Sequence, residues 1–301
     1  MAIHNRSTAH LDNSNNKIRQ IRQIRYEIAI PSYRRSQLIV TKTLATLKRH
    51  NIAAECITIF VANEDERAEY VAKVPAGMYG KIVIGCLGLK NQRNFITEYY
   101  EVGTNIVNMD DDIDDVQELD NATDVTVNVT DVVMTKKAKQ RNKLRPIENL
   151  DKFIVDAFRM CKKNGIYLWG IYPVANAYFM TYKIRTNLQF IVGPFWGVIN
   201  RHNAALSISM DEKENVERSL LYYKMDNAVL RFDNVTVVTK YYKTVGGMQS
   251  STRKTKRTTN SITAAQLIHK RYPKWTKIKI RHNGRHEIVF VKTPNTIIVS
   301  A

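Results

Sequence analysis

Apolar and polar positions change period repeatedly along the first 110 residues. Short runs of aliphatic and β-branched residues at 25–30, 57–62, 81–86 and 104–109 read as strands. Between them the apolar spacing lengthens to three and four residues, as at Leu38, Ile39, Thr43, Leu44 and Leu47, and predicts a helix over 36–49. Further helices are expected after Asn63-Glu64 as far as Tyr70, and over 89–101. Strand alternating with helix signals an α/β fold: a mostly parallel central sheet flanked by helices, with right-handed crossovers.

The pattern beyond residue 110 is less regular. Residues 113–119 fit one or two helical turns, and 121–134, with Val125, Val127 and Val129 alternating with polar residues, an extended segment. A helix is predicted over 148–163, capped near Pro146 and stopped by Asn164-Gly165. Strands are expected at 166–171, 177–182, 189–199, 229–232 and 235–242, and helices at 211–224 and 262–271, the last ended by Tyr272-Pro273. Gly246-Gly247 reads as a loop, and two strands, 277–281 and 287–291, close the chain around Asn283-Gly284. The organisation is a polar, basic arm over 1–24, a regular strand–helix half over 25–120, and an elaborated C-terminal half over 121–301.

Composition narrows the function. The chain has 301 residues, 44% hydrophobic and 25% charged, which is ordinary for a globular protein, but its formal net charge is +18. Thirteen lysines and arginines fall between Lys240 and His286 with no Asp or Glu among them, and Lys136, Lys137, Lys139, Arg141, Lys143 and Arg145 form a second cluster. Surfaces that only solubilise mix both signs, so a polyanionic partner is expected: nucleic acid first, an anionic membrane surface second, acidic small substrates third. No apolar run approaches the roughly 18 residues that a membrane span needs, and the N-terminus lacks a signal-peptide core, so a soluble, cytoplasmic protein without membrane partners is expected. Cys56, Cys86 and Cys161 lack metal spacing and read as buried thiols of a reducing compartment.

The candidate chemistry begins at Asn105-Ile106-Val107-Asn108-Met109-Asp110-Asp111-Asp112-Ile113-Asp114-Asp115, where an apolar strand ends in five carboxylates. Alone, such a run reads as a solvated acidic turn more than as a cation clamp; its place at a strand's C-terminal end, where open α/β sheets bind ligands, and the polar ends of the other strands favour the clamp. Each earlier strand also ends in polar residues: Pro31-Ser32-Tyr33-Arg34-Arg35, Asn63-Glu64, and Gly88 to Asn94. In a parallel sheet these four turns are neighbours. Lys90, Arg93 and Asn94 at a helix start suit a phosphate. Asp110 and Asp112 are expected on one side as metal ligands, with Asp111 turned away and Asp114 and Asp115 as helix-start acids. The Gly-Lys-Ser/Thr phosphate loop and the Gly-x-Gly-x-x-Gly turn are both missing, which argues against a P-loop NTPase and a dinucleotide oxidoreductase.

Ile30-Pro31-Ser32-Tyr33-Arg34-Arg35, Gly88-Leu89-Lys90-Asn91-Gln92-Arg93-Asn94 and Asn108-Met109-Asp110-Asp111-Asp112-Ile113 occur in the order found in GT-A glycosyltransferases, whose nucleotide-binding turn, basic helix and Asp-x-Asp motif they resemble. With Trp169-Gly170-Ile171-Tyr172-Pro173, Asn176, Gly193-Pro194-Phe195-Trp196-Gly197 and Gly246-Gly247, the fuller set is similar to the TET/JBP-associated glycosyltransferases of phages, eukaryotic viruses and protists. The resemblance covers roughly residues 25 to 290. It implies a GT-A-like sheet with a nucleotide-sugar half and an acceptor half, a UDP-sugar donor, Mn2+ or Mg2+, and as acceptor a hydroxymethylated pyrimidine such as 5-hydroxymethylcytosine in DNA. For a viral or phage protein the compartment would be the host cytoplasm. It further implies that Pro31, Ser32, Tyr33, Arg34, Asn63, Lys90, Arg93, Asn94 and Asp111 line the donor site, that Asp110 and Asp112 hold the metal, and that His286 (or His282) completes it. The helix-opening Glu-Asp pair that often supplies the base has only Glu214-Asn215 as its match, leaving the base between Asp211 and Glu214. Trp169 and Trp196 are candidates to stack on an extruded base or a sugar, and residues 240–257 to close over the diphosphate or follow DNA phosphates.

Overall fold

A computed structural model describes residues 24–120, 143–239, 254–282 and 284–294. The expected arm (residues 1–23), the extended 121–134 segment, most of the second basic cluster, the Gly246-Gly247 loop, residues 240–253 and the turn residue Asn283 lie outside them.

The first half forms as its periodicity predicts. Strand β1 (Glu27–Pro31) leads through residues 32–35 into a helix, α1, assembled from Ser36–Ile39, a π-helical turn Val40–Leu44, and Ala45–Arg49. Then follow β2 (Ile57–Val61), α2 (Glu64–Lys73), β3 (Lys81–Ile84), α3 (Leu89–Tyr99) and β4 (Asn105–Met109). β1 lies parallel to β2 and to β4, and β2 parallel to β3, giving the order β3-β2-β1-β4 of a doubly wound, Rossmann-like half. Alternation sorts the side chains: Ile28, Ile30, Ile57, Ile59, Val107 and Met109 join one core, Ala29, Phe60 and Ile106 the other. Residues from α1, α2 and the later α4 enter the first core, and residues from α3, α5 and α6 the second, so the sheet is covered on both faces.

The second half continues through β5 (Ile113–Leu119), β6 (Leu144–Pro146), α4 (Leu150–Asn164), β7 (Leu168–Ile171), β8 (Ile184–Arg185), β9 (Phe195–Ile199), α5 (Glu214–Asp226), β10 (Leu230–Phe232), β11 (Val235–Thr239), α6 (Lys254–Arg271), β12 (Thr276–Ile280) and β13 (His286–Phe290). The large sheet has eight strands in the order β3-β2-β1-β4-β9-β7-β10-β8. β9 runs antiparallel to β4 and β7, β10 parallel to β7, and β8 antiparallel at the edge, so four of the seven pairings are parallel. The C-terminal ends of β1, β2, β3, β4, β7 and β10 therefore share one edge with the N-terminal end of β9. β11, β5 and β6 form a separate antiparallel ribbon, and β12 and β13 a hairpin.

Several expectations are corrected. Residues 113–119 are a strand, paired with β11 and β6; Ile113, Val116 and Leu119 are buried at a spacing of three that imitates a helix, and a bulge, where Val238 opposes Asp115 but Thr239 opposes Ile113, produces the first of these two intervals. Asp114 and Asp115 thus sit on a strand, beside Lys42 and Arg49 respectively, and do not open a helix. Residues 177–182 form a loop instead of a strand. Of 189–199 only Phe195–Ile199 is a strand, since Gly193-Pro194 interrupts the pairing. The 262–271 helix starts earlier, at Lys254, and the 211–224 helix runs from Glu214 to Asp226. The α4 signals hold: Asn149 caps it by accepting from Lys152 N–H, and Gly165, at φ 64°, ends it.

The Trp-containing motifs prove to be packing motifs. Trp169 is fully buried and meets Phe153, Phe158 and Phe195 edge-on at 5.5–5.7 Å. Its indole lies against Gly197, where a methyl group would come within 2.2 Å of Nε1, so glycine is required there by close approach. Trp169 is closed to any base or sugar.

Candidate functional site

The acidic turn is built by β4 from below and by α1 from the side. Thr43, in the π-helical turn, donates to the Asp110 carbonyl at 2.6 Å and accepts from Ile113 N–H at 3.0 Å, clamping both ends of the three-aspartate turn. A π turn at such a place is a common companion of functional sites. From the other side, Asp110 N–H donates to the Pro194 carbonyl at 2.9 Å, which ties the turn to the start of β9.

The three carboxylates are not equivalent. Asp110 is the most open, its side chain 34% exposed, and accepts from Arg93 Nη2 at 2.7 Å; Arg93 Nη1 also donates to Asn108 at 3.0 Å. Asp111, expected to turn away, is buried and points inward: it accepts from Ser32 Oγ at 2.6 Å and from Arg35 Nη1 at 2.7 Å. Asp112 stands 3.4 Å from the same Arg35 nitrogen. Burial, then the charges of Asp110 and Asp111, push the Asp112 carboxyl up to about 7. Burial likewise raises Asp111, against the pull of Arg35 and Ser32. Burial disfavours the Arg35 cation, yet Asp111, Asp112 and Asp110 outweigh it and leave its pKa above the ordinary value. An unbalanced carboxylate of this kind is one that a cation would relieve.

The neighbouring strand ends take structural as well as polar roles. Ser32 is 1% exposed and shares a 2.6 Å hydrogen bond with the Tyr70 hydroxyl, so it braces Asp111 and does not face the cleft. Pro31 is buried. Tyr33 is half-buried under the guanidinium of Arg34, which lies 5.0 Å above its ring. Arg34 adopts φ 55°, is exposed, and is fixed by its N–H donating to Glu66 at 2.9 Å; this twist turns Arg35, not Arg34, toward the aspartates. Asn63 caps α2 by accepting from Glu66 N–H at 3.0 Å.

At α3, Gly88 takes φ 90° at the helix start. At this helix start, expected to suit a phosphate, the Lys90 N–H donates instead to Asp211 Oδ1 at 2.9 Å. Asn94 commits its amide to both backbone groups of Ile208, at 2.9 Å each. Gln92, unremarked in the sequence, is fully buried and joins the ends of β2 and β3 by accepting from Cys86 N–H and donating to the Val61 carbonyl. Of the residues expected at the helix start, Arg93 alone reaches the acids.

Glu214, opening α5, is 5% exposed and accepts from Arg218 at 2.7 Å; its Oε1 lies 3.4 Å from where a Cβ on Gly193 would be. Arg218 stacks on Trp196 at 3.7 Å, and Arg93 lies over the same ring at 5.6 Å. Trp196 is thus a partner of two arginines, itself 5% exposed, and not an open stacking surface. Burial lowers the Arg218 pKa to about 10, and its Nε and Nη2, with Arg93 Nε, are buried without a hydrogen-bond partner among the described residues. Arg35, Arg218 and Thr43 are the residues that sequence reasoning missed; only their proximity in the fold identifies them.

Asp110 and Asp112 carry the hard oxygen ligands that Mn2+ or Mg2+ prefers. Among the described residues no group of three or more His, Cys, Asp or Glu side chains is arranged to hold an ion; His286, the candidate third ligand, opens β13. No helix among the described residues is long and apolar enough to cross a membrane. No protein-family model matches the chain, and no curated protein matches its sequence.

Proposed function

We propose that the chain is a metal-dependent glycosyltransferase of GT-A type that moves a hexose, glucose in the first instance, from a UDP-sugar to the hydroxyl of a hydroxymethylated pyrimidine in DNA. The observation that carries this reading is the trio Asp110, Asp111 and Asp112 at the C-terminal end of β4, in line with the ends of β1, β2 and β3 and flanked by Arg35 and Arg93. The motif resemblance supports the reaction class, and the net charge of +18 supports a polyanionic acceptor.

A divalent cation held by Asp110 and Asp112 would offset the charge growing on the departing nucleoside diphosphate. Asp111 does not join it but anchors the turn through Ser32 and Arg35. Glu214 is the better base. Asp211 is occupied as a cap for α3, whereas Glu214 offers Oε1 beside the bare Gly193 while Arg218 holds Oε2. In the step, the acceptor O–H gives its proton to Glu214, its oxygen bonds the sugar's anomeric carbon, and the bond from that carbon to the diphosphate breaks. A base inside a cleft reaches a pyrimidine only in single-stranded DNA or after extrusion from the duplex.

The test is incubation with a panel of UDP-sugars, Mn2+ and DNA containing 5-hydroxymethylcytosine or 5-hydroxymethyluracil, followed by mass spectrometry of the nucleosides. A hexose-sized mass gain that Asp110→Ala and Asp112→Ala each abolish, and that EDTA prevents, is the expected result. Transfer undiminished in EDTA would remove the metal, and no DNA product alongside glycosylated protein or glycan would move the acceptor.

A further inference from the structure

The loop after β7 presents aromatic side chains to solvent at the sheet edge that also carries the aspartates. Tyr178 is 73% exposed, Phe179 59% and Tyr182 51%, and the Tyr178 and Phe179 rings meet edge-on at 4.9 Å. Large apolar side chains gathered outside a core signal a contact surface.

The loop that holds them is moored along its length. Tyr172 N–H donates to the Val235 carbonyl at 2.8 Å, Thr181 N–H to the Asp233 carbonyl at 3.2 Å, and the Tyr182 hydroxyl to the Asp120 carbonyl at 2.8 Å. Asn176 shapes the tip, its side chain accepting from Tyr178 N–H and its carbonyl from Phe179 N–H. Met180, 2% exposed, pins the middle to the interior. Rings presented on a fixed backbone lose little freedom when they are covered.

We propose that Tyr178, Phe179 and Tyr182 form a stacking platform for unpaired nucleobases, taking nucleotides that flank the reacting one on the same strand. The inference rests on the reading of DNA as acceptor and adds where the strand runs. Charge favours a nucleic acid as occupant. No Asp or Glu occurs between Gly165 and Met210, the exposed Lys183 follows Tyr182 in the chain, and the carboxylates around the loop are paired with arginines: Asp233 with Arg185 and Arg231, and Glu118 and Asp120 with Arg145, which also meets Glu148. Stacking is indifferent to sequence, as every base offers a π face. The platform does not take the acceptor base itself. Ile113, next to the aspartates, and Leu119, next to the tyrosine-bound Asp120, are six residues apart on β5, about 20 Å at the strand rise.

The test uses the full chain and a fluorescent 12-nucleotide oligodeoxythymidine carrying no hydroxymethyl group, with no sugar donor, read by anisotropy. The Tyr178→Ala/Phe179→Ala double variant is expected to bind at least about tenfold more weakly, the scale of losing one or two stacked bases. Tyr178→Phe/Phe179→Tyr should bind as the parent does, and the salt dependence should be unchanged, since no charge is altered. Equal affinity of parent and alanine variant would overturn the platform, as would equal weakening by the aromatic exchange. Self-association of the parent that the alanine variant abolishes, without an effect on oligonucleotide affinity, would assign the rings to a protein contact instead. UDP-sugar hydrolysis without acceptor separates the two readings. Turnover without ring-dependent binding leaves the transferase and removes the platform; ring-dependent binding without turnover does the reverse.

Discussion

Single residues at the acidic turn carry opposed demands, and pH exposes them. Asp112 has a folded pKa of about 7 against an ordinary value of 3.8. An acid whose pKa rises on folding binds its proton more tightly in the fold, so its favourable contribution is complete below about pH 4 and is lost as pH rises through about 7. Above that the metal-free fold carries a charge costing about 4 kcal/mol. Asp112→Asn should therefore melt above the parent at pH 8 and with it at pH 4; melting curves that differ equally at both would show that the carboxylate is not strained. Asp211 makes the opposite kind of prediction. As a cap it needs an acceptor oxygen and no charge, so Asp211→Asn should keep stability and transfer, while Asp211→Ala should cost about 1 kcal/mol in urea unfolding. Loss of transfer in Asp211→Asn with stability intact would restore it as the base.

At the scale of elements, the aspartate turn is held by a helix as much as by its own strand. Thr43 offers one hydroxyl to two backbone groups, and a π-helical turn sets it opposite them. Thr43→Val keeps shape and removes both bonds, leaving an N–H and a carbonyl unpaired at an expected cost of about 1–3 kcal/mol, which Thr43→Ser should largely avoid. Unfolding midpoints of the two variants decide the matter, and coinciding values would show that the hydroxyl holds nothing. The strand–helix alternation over 25–109 was legible because each element buries a face, and burial imposes a period. The turns were legible only as polar punctuation. That Arg35 and not Arg34 reaches the acids depends on one left-handed residue, and that Asn94 and the Lys90 N–H are spoken for depends on the 208–211 loop, over a hundred residues away. The bulge at the start of β5 set Ile113 and Val116 three apart on a strand and so imitated a helical spacing. Trp169 and Trp196 show the same gap between identity and environment: an aromatic in a short strand reads alike whether it faces solvent or fills a core.

For the whole molecule, the charge of +18 outweighs any single contact. Part of it lies on the β12–β13 hairpin and its approach, where Lys274, Lys277 and Lys279 are exposed, while Arg271 is held by Glu217 and Arg281 by Glu287. Lys277 and Lys279 are two apart on β12 and so share one of its faces. If these lysines meet phosphates, each releases counterions, and the affinity for single-stranded DNA falls with salt at a slope near −0.7 per phosphate neutralised. Lys277→Ala/Lys279→Ala should lower the magnitude of that slope by about 1.4, measured by oligonucleotide anisotropy between 50 and 200 mM salt. Asp110→Ala should act in the other direction. It removes a negative charge near the strand's path and leaves Arg93 without its carboxylate partner, so binding at low salt should hold or tighten even as transfer is lost. Weaker binding in Asp110→Ala, or a slope unmoved by the double lysine change, would mean that this face and this edge do not meet the same strand.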